Sequence, residues 1–185
     1  MRVITGIARG RKLRTLEGMD VRPTTEKVKE AIFSSIQFEL EGARVLDLFA
    51  GSGQLGIEAL SRGASKAVFV DAAATSIAVV EENLQNTGLA EAATVLRRSA
   101  ADYLRTTGEQ FDFAFLDPPY HNGTLLEILP LLESRMVPGG KIICEHEKEL
   151  DLPQKIGGLD LQKAYKYGKI KVTVYSVTME TGQEA

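Results

Sequence analysis

The chain has 185 residues, 44% of them hydrophobic and 25% charged, with a formal net charge of −3. That length can bury one sizeable core plus at most a small appendage. No run nears the roughly 18 apolar residues of a membrane span, and Arg2-Val-Ile-Thr-Gly after Met1 is no signal peptide, so the expectation is a cytoplasmic monomer with no membrane partner.

The charge is uneven. Residues 1–30 hold eight Lys/Arg (Arg2, Arg9, Arg11, Lys12, Arg14, Arg22, Lys27, Lys29) against four acids, a net of +4, which leaves −7 on residues 31–185. A basic arm on an acidic body suits a polyanionic partner; the plainer alternative is a solvated surface segment. Arg2-Val-Ile-Thr-Gly and Arg11-Lys-Leu-Arg-Thr alternate around Gly6 to Gly10. This predicts a small β-hairpin extension over residues 1–20, outside the main fold. Pro23 holds Arg22 extended, and Thr24 or Thr25 can cap a helix. The stripe Val28, Ala31, Ile32, Ser35, Ile36 carries that helix to about Leu40, where Gly42 stops it.

Strands and helices then alternate. Val45–Leu48 reads as a buried strand, Leu55–Ser61 as a helix and Lys66–Val70 as the next strand, closing on Asp71. Ile77, Val80 and Leu84 mark a helix ended by Gly88; Thr94–Leu96 is a short strand, and Ser99–Leu104 a helical turn. Phe111–Leu116 is a strand leading into Asp117, Leu125–Leu132 a helix, and Gly139-Gly140 turn the chain into the apolar run Lys141-Ile-Ile-Cys144. Cys144 has no second cysteine to pair with and reads as a reduced core thiol. His121 and His146 belong to no Cys/His cluster, so no metal is expected. Leu159–Tyr167 and Lys169–Val177 form a hairpin around Gly168, so one of them must run against the parallel sheet. The fold class is α/β: a doubly wound, Rossmann-like sheet with an antiparallel C-terminal hairpin strand. The main domain spans residues 21–179, and 180–185 is a frayed tail.

Gly51-Ser52-Gly53-Gln54-Leu55-Gly56 is a GxGxxG run between a strand and a helix. Its first reading is a dinucleotide site with a pyrophosphate on the helix N-terminus. Asp47, four residues before the first glycine, argues otherwise. A carboxylate under the turn repels a pyrophosphate but suits a cationic ligand such as S-adenosylmethionine. Asp71 follows about twenty residues after the loop, where an acid can hold ribose hydroxyls. Asp117-Pro118-Pro119-Tyr120 gives the chemistry. A carboxylate and a proline carbonyl can accept both hydrogens of an –NH2 group, and the aromatic ring can stack on the base that bears it. Holding both N–H bonds favours charge developing on nitrogen as it attacks a methyl group.

Leu46-Asp-Leu-Phe-Ala-Gly-Ser-Gly and Asp117-Pro-Pro-Tyr resemble motifs I and IV of class I amino-methyltransferases. With Gly10-Arg-Lys-Leu, Arg22-Pro-Thr-Thr and Gly56-Ile-Glu-Ala-Leu-Ser-Arg-Gly, the chain resembles the RsmD family from Arg2 to about Val177. Those bacterial enzymes methylate the N2 amine of one guanine in 16S ribosomal RNA. The resemblance implies that Asp47, Phe49, Ala50, Gly51, Ser52 and Gly53 line the methionine and ribose part of S-adenosylmethionine, with Asp71 on the ribose. Ser99 and Ala100 fall where the adenine edge is read, although the family more often has Asp or Asn at the first. Asp117, Pro118, Pro119 and Tyr120 hold the flipped guanine. Arg2, Arg9, Arg11, Lys12, Arg14 and Arg22 meet the RNA, and the partner is small-subunit rRNA or the assembling 30S subunit. Three other readings stand beside this one: a methyltransferase for another nucleic-acid or protein amine, a non-catalytic RNA-binding assembly factor, and an NAD oxidoreductase. The last lacks an evident acid/base partner for either histidine.

Overall fold

The computed structural model describes residues 1–16, 23–120 and 123–179; Arg22, His121 and the expected tail at 180–185 lie outside them. Five parallel strands are laid down with helices between them: β1 (Arg44–Leu48), α2 (Gln54–Ser61), β2 (Lys66–Asp71), α3 (Ala74–Thr87), β3 (Ala93–Arg97), α4 (Ala100–Thr106), β4 (Phe111–Leu116), α5 (Thr124–Glu133) and β5 (Met136–Glu147). Helix α1 (Pro23–Ile36) precedes them; β6 (Lys155–Ile156), β7 (Leu159–Tyr167) and β8 (Ile170–Val177) follow.

The sheet order is β3-β2-β1-β4-β5-β8-β7-β6. β8 runs antiparallel to β5, and β7 antiparallel to β8, as the hairpin around Gly168 required. Valines, leucines and phenylalanines of β1, β2 and β4 are buried on both faces, which is why these strands read as continuous apolar runs. One face packs on α1, α2 and α3 (Phe33, Ile57, Phe69, Val80), the other on α4 and α5 (Leu46, Leu104, Leu116, Leu129). Each such side chain contributes about 1.5–3 kcal/mol when fully buried.

Three expectations need correction. Helix α1 ends at Ile36 and not near Leu40, because the chain turns with Glu39 N–H on the Ile36 carbonyl and buries Leu40 in the core. Gly139 and Gly140 do not precede β5 but lie inside it. They form a bulge, with Phe111 opposite Met136 but Phe113 opposite Lys141. Gly139 takes φ +76° there, a conformation a side chain would strain.

The third concerns residues 1–16, which are not an appendage. Arg2 and Lys12 form a single antiparallel bridge, and Val3, Ala8 and Leu13 are buried in the same core as α1, α2 and α3. The alternation of the arm therefore marks one face packed on the domain. Among the described residues, no helix is long and apolar enough to cross a membrane.

Candidate active site

The strand order reverses between β1 and β4, and in open sheets of this kind the ligand crevice lies at that point, beyond the carboxyl ends of the strands. Leu48 is in register with both Val70 and Leu116. The residues that follow these three are Phe49, Asp71 and Asp117, so the register alone brings two of the three expected acids to the mouth of the glycine loop. Asp47 lies two residues deeper on β1.

The loop's three glycines do three different jobs. A Cβ on Gly51 would meet nothing within 4 Å, at φ +56°, so the backbone there faces open space that a ligand can approach closely. Gly53 takes φ +77° at the N-cap of α2, which a side chain would strain. Gly56 needs no unusual φ; a Cβ there would lie 2.4 Å from the Phe69 ring, so it allows α2 to press against β2. Phe49 is the one described non-glycine residue with positive φ (66°). It is held there as its N–H and that of Ala50 both donate to the Val70 carbonyl, at 3.0 and 3.1 Å. At the first residue of α2, Gln54 Oε1 is buried with no hydrogen-bond partner.

Both loop aspartates hold backbone. Asp47, 2% exposed, accepts the Gly56 N–H at 2.8 Å, and Asp71 accepts the Gly51 and Ala73 N–H groups, each at 2.9 Å. Asp47 thus sits beneath the loop and shapes it from below. A carboxylate offers about four lone-pair sites, so two backbone bonds leave Asp71 room for ribose hydroxyls. Burial pushes the Asp47 carboxyl up to about 7, helped by the Asp71 charge and opposed by the Gly56 N–H. The folded state then keeps this proton to higher pH than the unfolded chain does. Its stabilising contribution is fullest below pH about 4 and is lost as pH rises to about 7. Denaturant unfolding of Asp47→Asn should lack that decline; parallel pH profiles for variant and wild type would remove the assignment.

β4 delivers Asp117 to Tyr120 beside the loop. Pro118 is buried, Asp117 and Tyr120 are half-buried, and the Tyr120 hydroxyl donates to Glu145 Oε1 of β5 at 3.3 Å. Pro118 and Pro119 line a shallow groove with Leu125, Leu126 and Leu150, an apolar wall suited to a planar ring. Ser99, exposed, is the N-cap of α4, its hydroxyl accepting the Asp102 N–H at 3.2 Å, and Ala100 is buried behind it. That cap uses an acceptor site of Ser99 and leaves its O–H to donate. Neither ring nitrogen of His146 faces this crevice chemistry. They contact the Glu147 carbonyl and the Thr173 hydroxyl, both at 2.9 Å. Among the described residues no cluster of three metal-ligating side chains occurs.

The open cradle at Gly51, the orphan acceptor on Gln54 and the Asp71 carboxylate, which makes no ion pair among the described residues, fit a nucleoside ligand that carries positive charge. They fit a pyrophosphate poorly. The sequence family described as conserved hypothetical protein 95 matches residues 1–176. The Bacillus subtilis protein YlbH, provisionally named an rRNA methyltransferase, is 42% identical over 95% of this chain and 98% of its own. Ribosomal RNA small subunit methyltransferase D of Escherichia coli is 34% identical over 95% of this chain and 89% of its own. The chain belongs to the RsmD family of class I methyltransferases. The solved Escherichia coli protein yhhF, provisionally named a methyltransferase, superposes with a TM-score of 0.87 at 34% identity, over 97% of this chain and 99% of that one.

The RsmD-like run Gly56-Ile-Glu-Ala-Leu-Ser-Arg-Gly, unexplained as sequence, is the dock for the arm. Glu58, fully buried, accepts the Ile4 and Thr5 N–H groups at 2.9 and 3.0 Å and pairs with Arg62 at 2.9 Å and Lys29 at 3.5 Å. Lys29 in turn donates to the Arg2 carbonyl at 2.8 Å. Ser61 Oγ donates to the Thr5 carbonyl and accepts the Ala8 N–H. The arm so pinned along α2 ends beside the glycine loop. There the buried Asn83 amide donates to the carbonyls of Arg14 and Ser52 and accepts the Arg14 N–H, at 2.7–2.9 Å. Sequence reading missed Glu58, Ser61, Lys29 and Asn83. The available signal was a polar residue on a buried helix face, as with Asn83 between Val80 and Leu84. Asn83→Ala strips three bonds from buried groups and should cost about 1–3 kcal/mol for each group left unpaired, read by denaturant unfolding; an unchanged midpoint would contradict the clasp.

Of the basic residues, Arg2, Arg9, Arg11 and Lys12 are exposed and make no ion pair among the described residues. Arg14 is exposed too, but it pairs with Glu82 at 2.5 Å. That makes it a weaker candidate for phosphate contact than its neighbours.

Proposed function

We propose that this chain transfers a methyl group from S-adenosylmethionine to the exocyclic N2 amine of a guanine in small-subunit ribosomal RNA. The observation that carries the reading is the register of Leu48 with Val70 and Leu116, which sets the glycine loop, Asp71 and the Asp-Pro-Pro-Tyr motif side by side. Relatives named for the ribosomal RNA small subunit support the substrate class.

Gly51, Ser52 and Gly53 hold the cofactor, with Asp71 on its ribose, Ser99 and Ala100 at its adenine, and Asp47 shaping the loop beneath. When bound, S-adenosylmethionine supplies an electrophilic methyl group. The target guanine must leave its RNA structure, since its amine is otherwise out of reach. Asp117 and a proline carbonyl accept the two N–H bonds, and Tyr120, tied to Glu145, stacks on the base. These contacts fix the amine in line and stabilise the positive charge that develops on it. The proton then leaves to Asp117 or water. No enzyme nucleophile takes part: Cys144 is fully buried, and burial pushes its thiol well above the usual range.

Arg2, Arg9, Arg11 and Lys12 position the RNA through its phosphates. Replacing Arg9, Arg11 and Lys12 with Ala should flatten the log–log salt dependence of RNA affinity by roughly 2–3, while affinity for S-adenosylhomocysteine stays at wild type. Unchanged slopes would make the arm a solvated face. The substrate class is tested by label transfer from methyl-tritiated cofactor to 16S rRNA, 23S rRNA and duplex DNA offered separately. Label should enter 16S rRNA; transfer to DNA alone would overturn the reading.

A further inference from the structure

The crevice over β1 and β4 and the arm on α2 leave the outer part of the sheet without a role. Residues 162–171, Gln-Lys-Ala-Tyr-Lys-Tyr-Gly-Lys-Ile-Lys, contain four lysines and no acid, on a body that is otherwise acidic. Lys171 pairs with Asp151 at 2.7 Å. Lys163, Lys166 and Lys169 are exposed and make no ion pair among the described residues. Tyr165 and Tyr167, two apart on β7, lie on one face with ring centroids 6.4 Å apart, tilted by 37°. Both are half-buried. They rim an apolar groove floored by Val172 and Val174, with Ala31 and Ser35 of α1 opposite.

The register sets this groove beside the reacting site. Tyr165 is paired with Val172, and Val172 with Glu145. Directly paired residues share a face, so Glu145, Val172 and Tyr165 stand in one row on the α1 side. Glu145 is the acceptor of the Tyr120 hydroxyl. Two strand spacings, about 10 Å, separate Tyr165 from it. Glu147, Ile170 and Tyr167 form the next row. Beyond Leu161, whose N–H donates to the Gln154 carbonyl at 2.8 Å, β7 has no strand partner on its outer side among the described residues. An edge lysine such as Lys166 can serve to keep other strands away, but that purpose needs no paired tyrosines.

From half-exposed tyrosines in the rows of Glu145 and Glu147, flanked by exposed lysines, we infer that the α1 side of β7 is a platform for single-stranded RNA next to the target guanine. Bases stack on Tyr165 and Tyr167, and Lys163 and Lys169, before and after the rings, meet the phosphates. Stacking of this kind tolerates any base sequence and acts on unpaired nucleotides, which is what a guanine turned out of its helix leaves around it. The inference rests on the RNA methyltransferase reading above.

The test uses the full chain with a short single-stranded oligoribonucleotide and the same sequence as a duplex, with S-adenosylhomocysteine affinity as the check on folding. Tyr165→Ala/Tyr167→Ala should weaken the single strand roughly 10- to 100-fold and the duplex little. Tyr165→Phe/Tyr167→Phe should bind like wild type, since stacking needs the ring and not the hydroxyl. Lys163→Ala/Lys169→Ala should flatten the salt slope by roughly 1–2. Wild-type affinity in the Ala pair overturns the platform, as does an equal loss in the Phe pair, or a surface that instead joins two copies of the chain in a concentration-dependent dimer. Methyl transfer to 16S rRNA is measured on the same preparations. Transfer by wild type with no effect of the Ala pair removes the platform alone; no transfer removes the proposed function, and the oligonucleotide affinities still decide the platform.

Discussion

Asp117→Ala should lower methyl transfer by about 10²–10³-fold while leaving cofactor affinity close to wild type. The magnitude is that of removing one preorganised group from a site of developing charge. The separation follows from position. Asp117 follows β4, whereas the loop is held by Asp47, Asp71 and the Val70 carbonyl, all on β1 and β2. Asp117→Asn should be less severe, because an amide oxygen can still accept one amine hydrogen. Single-turnover rates beside calorimetric binding of S-adenosylhomocysteine separate the two effects. Normal turnover in the Ala variant would remove Asp117 from the chemistry.

Glu58→Ala should cost about 3–5 kcal/mol of stability, the penalty for leaving a buried charge without its partner. Lys29 and Arg62 both face this carboxylate, with side chains 1% and 6% exposed, and two arm N–H groups end on it. The Arg62 guanidinium also lies 5.0 Å from the centroid of the Phe33 ring, so the network ties α1 to α2. That cost is a large share of the roughly 5–15 kcal/mol that holds a domain of this kind folded. Lys29→Met/Glu58→Gln, which removes the charge from both sides, should lose less than Glu58→Ala. Urea midpoints for the three proteins decide it; a Glu58→Ala loss below about 1 kcal/mol would show the pair to be solvated.

The central strands β1, β2 and β4 were legible because they are buried on both faces, and an acid closes β2 and follows β4. The run Val45–Leu48 and the Gly51-to-Gly56 loop gave strand, turn and helix from local chemistry alone. That Asp71 and Asp117 would lie beside the glycine loop was legible because strand-end positions in a parallel sheet converge whatever the intervening chain does. Asp47 was legible as important but not in its place: nothing local says that its carboxylate takes the Gly56 N–H from beneath. The arm misled because alternation and basic charge are also what a strand with one face on a core shows; Val3, Ala8 and Leu13 were the hidden half of that pattern. Its partners, Glu58 and Asn83, lie more than fifty residues away in sequence. Such contacts leave no periodic trace, so the clasp on the arm had to be seen in three dimensions.

The central claim is the atom that receives the methyl group. 16S rRNA incubated with the wild-type chain and S-adenosylmethionine, digested to nucleosides and analysed by mass spectrometry, reads it directly, with Asp117→Ala as the blank. N2-methylguanosine should rise in the wild-type digest and stay at background in the blank. A gain only in a methylated adenosine or cytidine, or no gain in any nucleoside, would contradict the account.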